Sequence, residues 1–253
     1  MSFFRITLCL LASLCLRGEA AEIVSVAQMT AGPAAKALPH EAGWGYWTAA
    51  PGAWLQTHEG FVARSRKGGV DLVFLGDSIT QGWRAAIEEN WTGAEPRLRA
   101  VNYGIGGDST RQVIWRIEHG TLDGIRPRLV VLMIGTNNLY RDHNAGSTDE
   151  IAIGVKKILA LIAEKTPGTR VLLLGVLPRQ TRTWCERISD LNTSISRNEV
   201  TGRIRFLDAG PAFLDAAGNV KADLYHADAV HLNARGYEVL SSLVKPVVRE
   251  LLR

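Results

Sequence analysis

The chain is 253 residues long, 46% hydrophobic and 21% charged, with a formal net charge of +4. That composition suits a globular protein with a buried core and excludes disordered, collagen-like and disulfide-rich classes. The positive charge is mild and scattered, with no Lys/Arg run, so nothing in it favours nucleic acid as a partner.

The N-terminus differs from the rest. Met1–Arg5 is a short positive start, Ile6–Leu16 is an apolar run of eleven residues, and Gly18-Glu19-Ala20 offers the small residues that a signal peptidase reads. This pattern predicts a secretory signal over 1–21, cleaved after Ala20 or Ala21, and hence a periplasmic or extracellular protein. Eleven apolar residues are too few to cross ~30 Å of hydrocarbon as a helix, so no membrane span is expected after signal removal. Loss of residues 1–20 takes Arg5, Arg17 and Glu19 and lowers the net charge from +4 to +3. Cys9 and Cys15 leave as well, so the remaining Cys185 has no partner for an internal disulfide.

Residues 22–60 show no clear period and hold Trp44, Tyr46, Trp47 and Trp54. They read as an N-terminal extension whose aromatic side chains pack on the main domain, because such rings bury large areas. From Phe61 a regular pattern begins, and 61–253 reads as one domain. Short apolar runs at Val70–Leu75, Leu98–Tyr103, Leu129–Ile134, Val171–Leu177 and Ile204–Leu207 predict five strands, the first and third stopped by Gly and the fourth by Pro178. Helical patterns cover Ser109–Gly120, Asp149–Lys165, Thr183–Asn198 and Ala234–Leu252, the last with Asn233 as its N-cap. Strands apolar on both faces that alternate with helices predict a parallel α/β sheet covered on both sides. Ligands of such sheets bind beyond the carboxyl ends of the strands.

Four short segments at those ends carry chemistry. Gly76-Asp77-Ser78-Ile79-Thr80 follows the first strand, with Gly76 allowing a sharp turn and Ser78 at the start of a helix, where outward N–H groups favour developing negative charge. Ser78 there is either a nucleophile or a helix cap. Asn102-Tyr103-Gly104-Ile105-Gly106-Gly107-Asp108-Ser109 follows the second strand and permits close backbone approach to a ligand; it lacks the Lys-Ser/Thr ending of a phosphate loop. Gly135-Thr136-Asn137-Asn138 follows the third strand, and an Asn amide there is either an oxyanion donor or a turn residue. Asp228-Ala229-Val230-His231 precedes the last helix, and a carboxylate three residues from an imidazole can hold one ring nitrogen while the other accepts a proton. Asp223, His226, Asp228 and His231 also cluster, but at spacings that match no metal signature, so no metal site is expected.

Together, in this order, the four segments resemble the blocks of the SGNH (GDSL) hydrolase superfamily. The longer strings LGDSITQGW, NYGIGGDSTRQVIWRIEHG, IRPRLVVLMIGTNN, LLLGVLPR and DAVHLNARGY resemble the catalytic subunits of intracellular platelet-activating-factor acetylhydrolase type Ib. The resemblance spans roughly Phe61 to Arg253. It implies a single flavodoxin-like three-layer domain with about five parallel strands and helices on both faces. It also implies Ser78 as nucleophile, His231 as general base and Asp228 as its partner, with the N–H groups of Ser78 and Gly107 and the side chain of Asn137 as the oxyanion hole. Asp77 matches a motif position outside the triad. The signal and the Trp-rich extension have no counterpart in the intracellular subunits, which argues for a different substrate and against the same regulatory partner.

The expected activity is hydrolysis of short-chain esters, acetyl by preference, on a small molecule or a polysaccharide, through an acyl-serine and without cofactor. Two alternatives stay open: a non-catalytic carbohydrate- or lipid-binding module on the same scaffold, and a flavin- or nucleotide-binding flavodoxin-like protein. Arg179, Arg182 and Trp184, after the fourth strand, and Tyr140 and Arg141, after the third, line up as substrate contacts or as a solvated rim. Cys185 reads as a packed thiol.

Overall fold

Apolar residues at period two on both faces of each strand leave the sheet no way to shed water except by coverage on both sides. The computed structural model describes residues 52–84, 98–141 and 147–253, without the side chains of Tyr140 and Arg141. The signal expected over 1–21 and Trp44, Tyr46 and Trp47 of the expected extension lie outside the described residues.

Five strands, β1 (Leu72–Gly76), β2 (Ala100–Gly104), β3 (Leu129–Met133), β4 (Arg170–Leu174) and β5 (Ile204–Leu207), form one sheet in the order β2-β1-β3-β4-β5. Every pairing is parallel. Among the described residues seven α-helices surround it: α1 (Ala53–Arg66), α2 (Ser78–Gly82), α3 (Thr110–Glu118), α4 (Thr136–Arg141), α5 (Thr148–Lys165), α6 (Arg182–Ser196) and α7 (Ala234–Leu252). This is the flavodoxin-like order, with the chain reversing direction across the sheet on either side of β1, so that a crevice opens beside the carboxyl ends of β1 and β3.

Alternate strand residues feed two separate cores. Val73, Leu75, Val130, Leu132, Val171 and Leu173 face α3, α5 and α6, where Val113, Ile117, Val155, Ile158, Ile162 and Leu191 meet them. Leu72, Phe74, Leu129, Val131, Leu172 and Leu174 face α2 and α7, the latter presenting Leu240, Val244, Val248 and Leu252 at every fourth position. Helix starts follow their capping residues. Ser109 with Gln112 and Ser147 with Glu150 form capping boxes on α3 and α5, and the Asn233 side chain accepts from Gly236 N–H at 3.1 Å on α7.

Two expectations change. The extension was expected to run without period to residue 60, but α1 occupies 53–66 and crosses that boundary. Its inner face is Trp54, His58, Phe61 and Ser65, a helical spacing disguised by a histidine and a serine at inward positions. Trp54 does pack on the main domain, against Trp115 at a ring separation of 5.4 Å. The fourth strand, expected over 171–177, ends at Leu174 although Val176 and Leu177 are buried. Beyond it the Asn192 side chain of α6 takes over, accepting from Val176 N–H at 2.8 Å and donating to Val176 C=O at 3.0 Å. A side chain thus satisfies backbone groups that a longer ladder would have used.

Candidate active site

Ser78 opens α2, one residue after Asp77 ends the turn from β1. The carboxylate of Asp77 caps the helix by accepting from Ile79 N–H at 2.9 Å. The N-cap is therefore Asp77, and Ser78, half-buried, keeps its hydroxyl for another partner. Burial raises the Asp77 carboxyl to about 7; the Ile79 amide opposes this, the Asp108 carboxylate adds to it and Arg179 opposes it. Further bonds fix the short helix. Asn102 Nδ2 donates to Thr80 C=O at 2.6 Å, and the Tyr237 hydroxyl of α7 donates to Ile79 C=O at 2.9 Å.

The Ser78 hydroxyl meets His231 Nε2 at 2.9 Å. The other ring nitrogen, Nδ1, lies 2.6 Å from Asp228 Oδ2. Asp228 Oδ1 meanwhile accepts from the N–H groups of Val230 at 2.9 Å and His231 at 3.0 Å. Partial desolvation works against the charge on Asp228, but the ring bond and the two backbone amides outweigh it and hold the carboxyl down at about 2. The loop that carries both residues is closed by a bridge between Tyr225 and Leu232 and by His226 N–H donating to His231 C=O at 2.8 Å. Ala229 at its tip has φ +51°. Its carbonyl accepts from the N–H of Gln180, which has φ +52°, so two left-handed residues tie the loop after β4 to the Asp228–His231 loop.

The glycine-rich loop docks on the same strand end. Ile105 N–H donates to Gly76 C=O at 3.2 Å, and Gly106 N–H donates to Gln81 Oε1 at 2.8 Å. Gly107 has φ +84°, a conformation that a side chain would strain. Asn137 Nδ2 donates to the C=O of Asp108 at 2.8 Å, which places the Asn137 amide beside this loop and leaves a second N–H on the same nitrogen. Four segments distant in sequence therefore meet at the carboxyl ends of β1, β2 and β3.

Several contributors lay outside the sequence reading. Asp108, quoted there only as part of a motif, is completely buried and pairs with the equally buried Arg116 at 2.7 Å. Asn138, the neighbour of Asn137, accepts from Thr110 N–H at 3.0 Å and donates to Thr110 Oγ1 at 2.9 Å, pinning α3. Arg179 is not part of a solvated rim: it is buried and donates to Thr136 Oγ1 at 3.0 Å. Trp184 is half-buried, with the guanidinium carbons of Arg179 and Arg187 each 5.1 Å from its ring centre, while Arg182 is exposed and pairs with Glu186. The Cys185 thiol is half-buried, 3.7 Å from Arg179 C=O. The side chains of Tyr140 and Arg141 lie outside the described residues. Asp223 pairs with Arg235 at 2.7 Å, and among the described residues no group of three or more His, Cys, Asp or Glu is gathered as metal ligands. Among these residues, too, no helix is long and apolar enough to cross a membrane.

Comparison with known proteins gives one consistent result. The family model for GDSL-like lipases/acylhydrolases matches residues 74–239. The platelet-activating factor acetylhydrolase IB subunit alpha1 of Bos taurus is 37% identical over 209 residues, covering 79% of this chain and 84% of the relative. A GDSL-like lipase from Bacteroides thetaiotaomicron superposes with a TM-score of 0.61 at 20% identity, over 76% of this chain and 97% of its own. An acetylxylan esterase from Geobacillus stearothermophilus, solved as a catalytic mutant, superposes with a TM-score of 0.57 at 21% identity, over 73% and 94%. At those identities the two structures speak to the fold alone.

Proposed function

From the premise that this chain belongs to the GDSL-like lipase/acylhydrolase family and is a hydrolase acting on esters, we propose that it is a serine esterase with Ser78 as nucleophile, His231 as general base and Asp228 as the carboxylate that orients the ring. The observation that carries this reading is the unbroken line from Ser78 Oγ through His231 to Asp228, with separations of 2.9 and 2.6 Å.

With Nδ1–H donated to Asp228, the His231 ring presents an unprotonated Nε2 to the serine hydroxyl. Ser78 Oγ attacks the acyl carbon as its proton passes to Nε2, and the carbonyl oxygen becomes an oxyanion. The N–H groups of Ser78 and Gly107 and the second N–H of Asn137 receive that charge. Neither of the two backbone groups donates to another protein atom among the described residues. The alcohol leaves with the proton from His231. Water then attacks the acyl-serine, gives a proton to the same nitrogen, and the acid departs as Ser78 recovers its hydrogen. No step calls for a metal or an organic cofactor.

The substrate class we propose is a short acyl ester, acetyl by preference, on a small molecule or polysaccharide. The name of the relative at 37% identity, a platelet-activating factor acetylhydrolase subunit, supports acetyl. Export is proposed from the positive start, apolar run and small residues of the first 21 positions. Mass analysis of the exported protein should find an N-terminus at residue 21 or 22. An intact Met1 on active protein inside the cell would overturn export.

Turnover of p-nitrophenyl acetate by wild type and Ser78→Ala tests the activity, followed by an acyl-length series and acetylated xylan. Ser78→Ala is expected to lose at least ~10³-fold in kcat and to resist a fluorophosphonate probe that labels wild type. Wild-type turnover by the alanine variant would end the serine mechanism. Failure of the wild type to label would favour a binding module on a hydrolase scaffold.

A further inference from the structure

We propose that Trp54, in the helix preceding the family-matched region, is a positioning residue for the oxyanion hole, acting through the buried carboxylate of Asp108. This inference rests on the esterase reading above and extends it to α1.

Asp108 follows Gly107 directly. Its backbone carbonyl accepts from Asn137 Nδ2 at 2.8 Å and its N–H donates to Ile105 C=O at 3.3 Å. Two of the three proposed oxyanion donors, Gly107 N–H and the Asn137 amide, are therefore set by where Asp108 sits. Arg116 and Trp54 both reach its carboxylate. Arg116 Nη2 lies 2.7 Å from Oδ2, with both side chains fully buried, and the same guanidinium donates to Tyr103 C=O at 2.9 Å and to Gly76 C=O at 3.2 Å. This cation ties the carboxyl ends of β1 and β2 to the loop. Trp54 Nε1–H donates to Oδ1 at 2.7 Å across 54 residues of chain. The indole is itself fixed, stacked on His58 at 6.0 Å and tilted on Trp115 at 5.4 Å.

A buried carboxylate that loses a charge-assisted hydrogen bond gains by turning toward any remaining donor. Rotation of Asp108 about its side chain pulls on a main chain that carries the oxyanion donors on both sides. Donor placement matters at the level of fractions of an ångström in the transition state and little in the ground state. A weakened carboxylate anchor should therefore lower kcat and spare KM. A merely structural indole would show itself in melting temperature instead.

Trp54→Phe keeps an aromatic ring in the stack and deletes the N–H. The expected result, with p-nitrophenyl acetate, is a loss of about tenfold in kcat with KM within about twofold. In an Asn137→Ala background the same substitution should cost clearly less than tenfold, because one of the two donors it positions is already gone and only Gly107 N–H is left to be displaced. Ser65→Ala is the control within α1. Ser65 Oγ donates to Thr121 C=O at 2.6 Å, so its loss loosens the helix without touching Asp108, and it should lower the melting temperature at unchanged kcat. If Trp54→Phe does not fold, Trp54→Met, which also lacks the donor and fills space flexibly, takes its place. Unchanged kcat in the Trp54 variant, or equal losses with and without Asn137, overturns the proposal. An inactive Ser78→Ala together with unimpaired Trp54→Phe sinks this inference alone, whereas a fully active Ser78→Ala sinks the esterase reading beneath it.

Discussion

Replacing each asparagine of Asn137-Asn138 by alanine should separate a chemical role from a structural one in adjacent residues. Asn138 is 2% exposed and holds Thr110 twice, accepting from its N–H at 3.0 Å and donating to its hydroxyl at 2.9 Å. Thr110 is itself fully buried at the first turn of α3, where a backbone N–H has no partner within the helix. Taking away the acceptor costs about 1–3 kcal/mol for the buried N–H, and the second bond adds about 1 kcal/mol. At roughly 2–4 °C per kcal/mol for a domain of this size, Asn138→Ala should melt about 5–15 °C below wild type. Its kcat should stay within about threefold once folded, because Asn138 points away from the reacting centre toward α3. Asn137→Ala should do the reverse. Its side-chain amide donates to the Asp108 carbonyl at 2.8 Å from a half-buried position, so the substitution should cost no more than about 1 kcal/mol of stability but ~10²–10³ in kcat. Thermal melts by circular dichroism and p-nitrophenyl acetate kinetics on the same samples decide the matter. An Asn138→Ala protein that melts with wild type, or one that loses kcat as Asn137→Ala does, would refute this division.

Three more outcomes follow from the same structure. Asp228→Asn can still accept from the Val230 and His231 amides, so it should fold normally, yet it removes the charge that fixes the imidazole tautomer; kcat should fall ~10²–10³, toward the low end of such losses because Asp228 is 41% and His231 23% exposed. A loss under tenfold would show that Asp228 does not orient the ring. Burial first, then the Coulombic influence of Arg116 and of the neighbouring His119 ring, lowers His58 from 6.5 to about 4. The fold therefore holds neutral His58, and the associated stability is complete above pH 6.5 and disappears as pH falls toward 4, by at most about 3 kcal/mol. Urea unfolding should show this slope in wild type and a flatter one in His58→Gln; equal slopes would dismiss His58 as the source. In Gly76→Ala, the new Cβ would sit 2.2 Å from Thr80 Oγ1 and 2.3 Å from Met133 C=O, and the second is backbone of a central strand. Folded yield should collapse, and a soluble variant with wild-type melting would contradict the packing described at the end of β1.

Much of the framework was legible in the chain itself because its signals are local. A run such as Leu129–Ile134, apolar on both faces and ended by glycine, suits a covered strand, and the structure places its first five residues at the sheet's centre. The Asp228–His231 pair was legible for the same reason, since three residues of loop already limit how far apart the two groups can lie. Helix α1 was not, because its inward positions include His58 and Ser65, whose burial rests on Thr121 and Tyr103 far along the chain. The early end of β4 was hidden too, since Asn192 replaces ladder partners only once α6 has docked.

Residue type and spacing alone determined that strands would alternate with helices, that a serine would stand at a strand end, and that an imidazole would have a carboxylate beside it. Each of these depends on contacts within a few residues, which covalent geometry supplies before any folding. The tertiary structure alone decided that His231 reaches Ser78 across 153 residues and that Arg116 and Trp54 come to the buried carboxylate of Asp108. Such pairings follow from the order in which strands lie in the sheet. A charge removed from water must be met by whichever partner that order brings within reach.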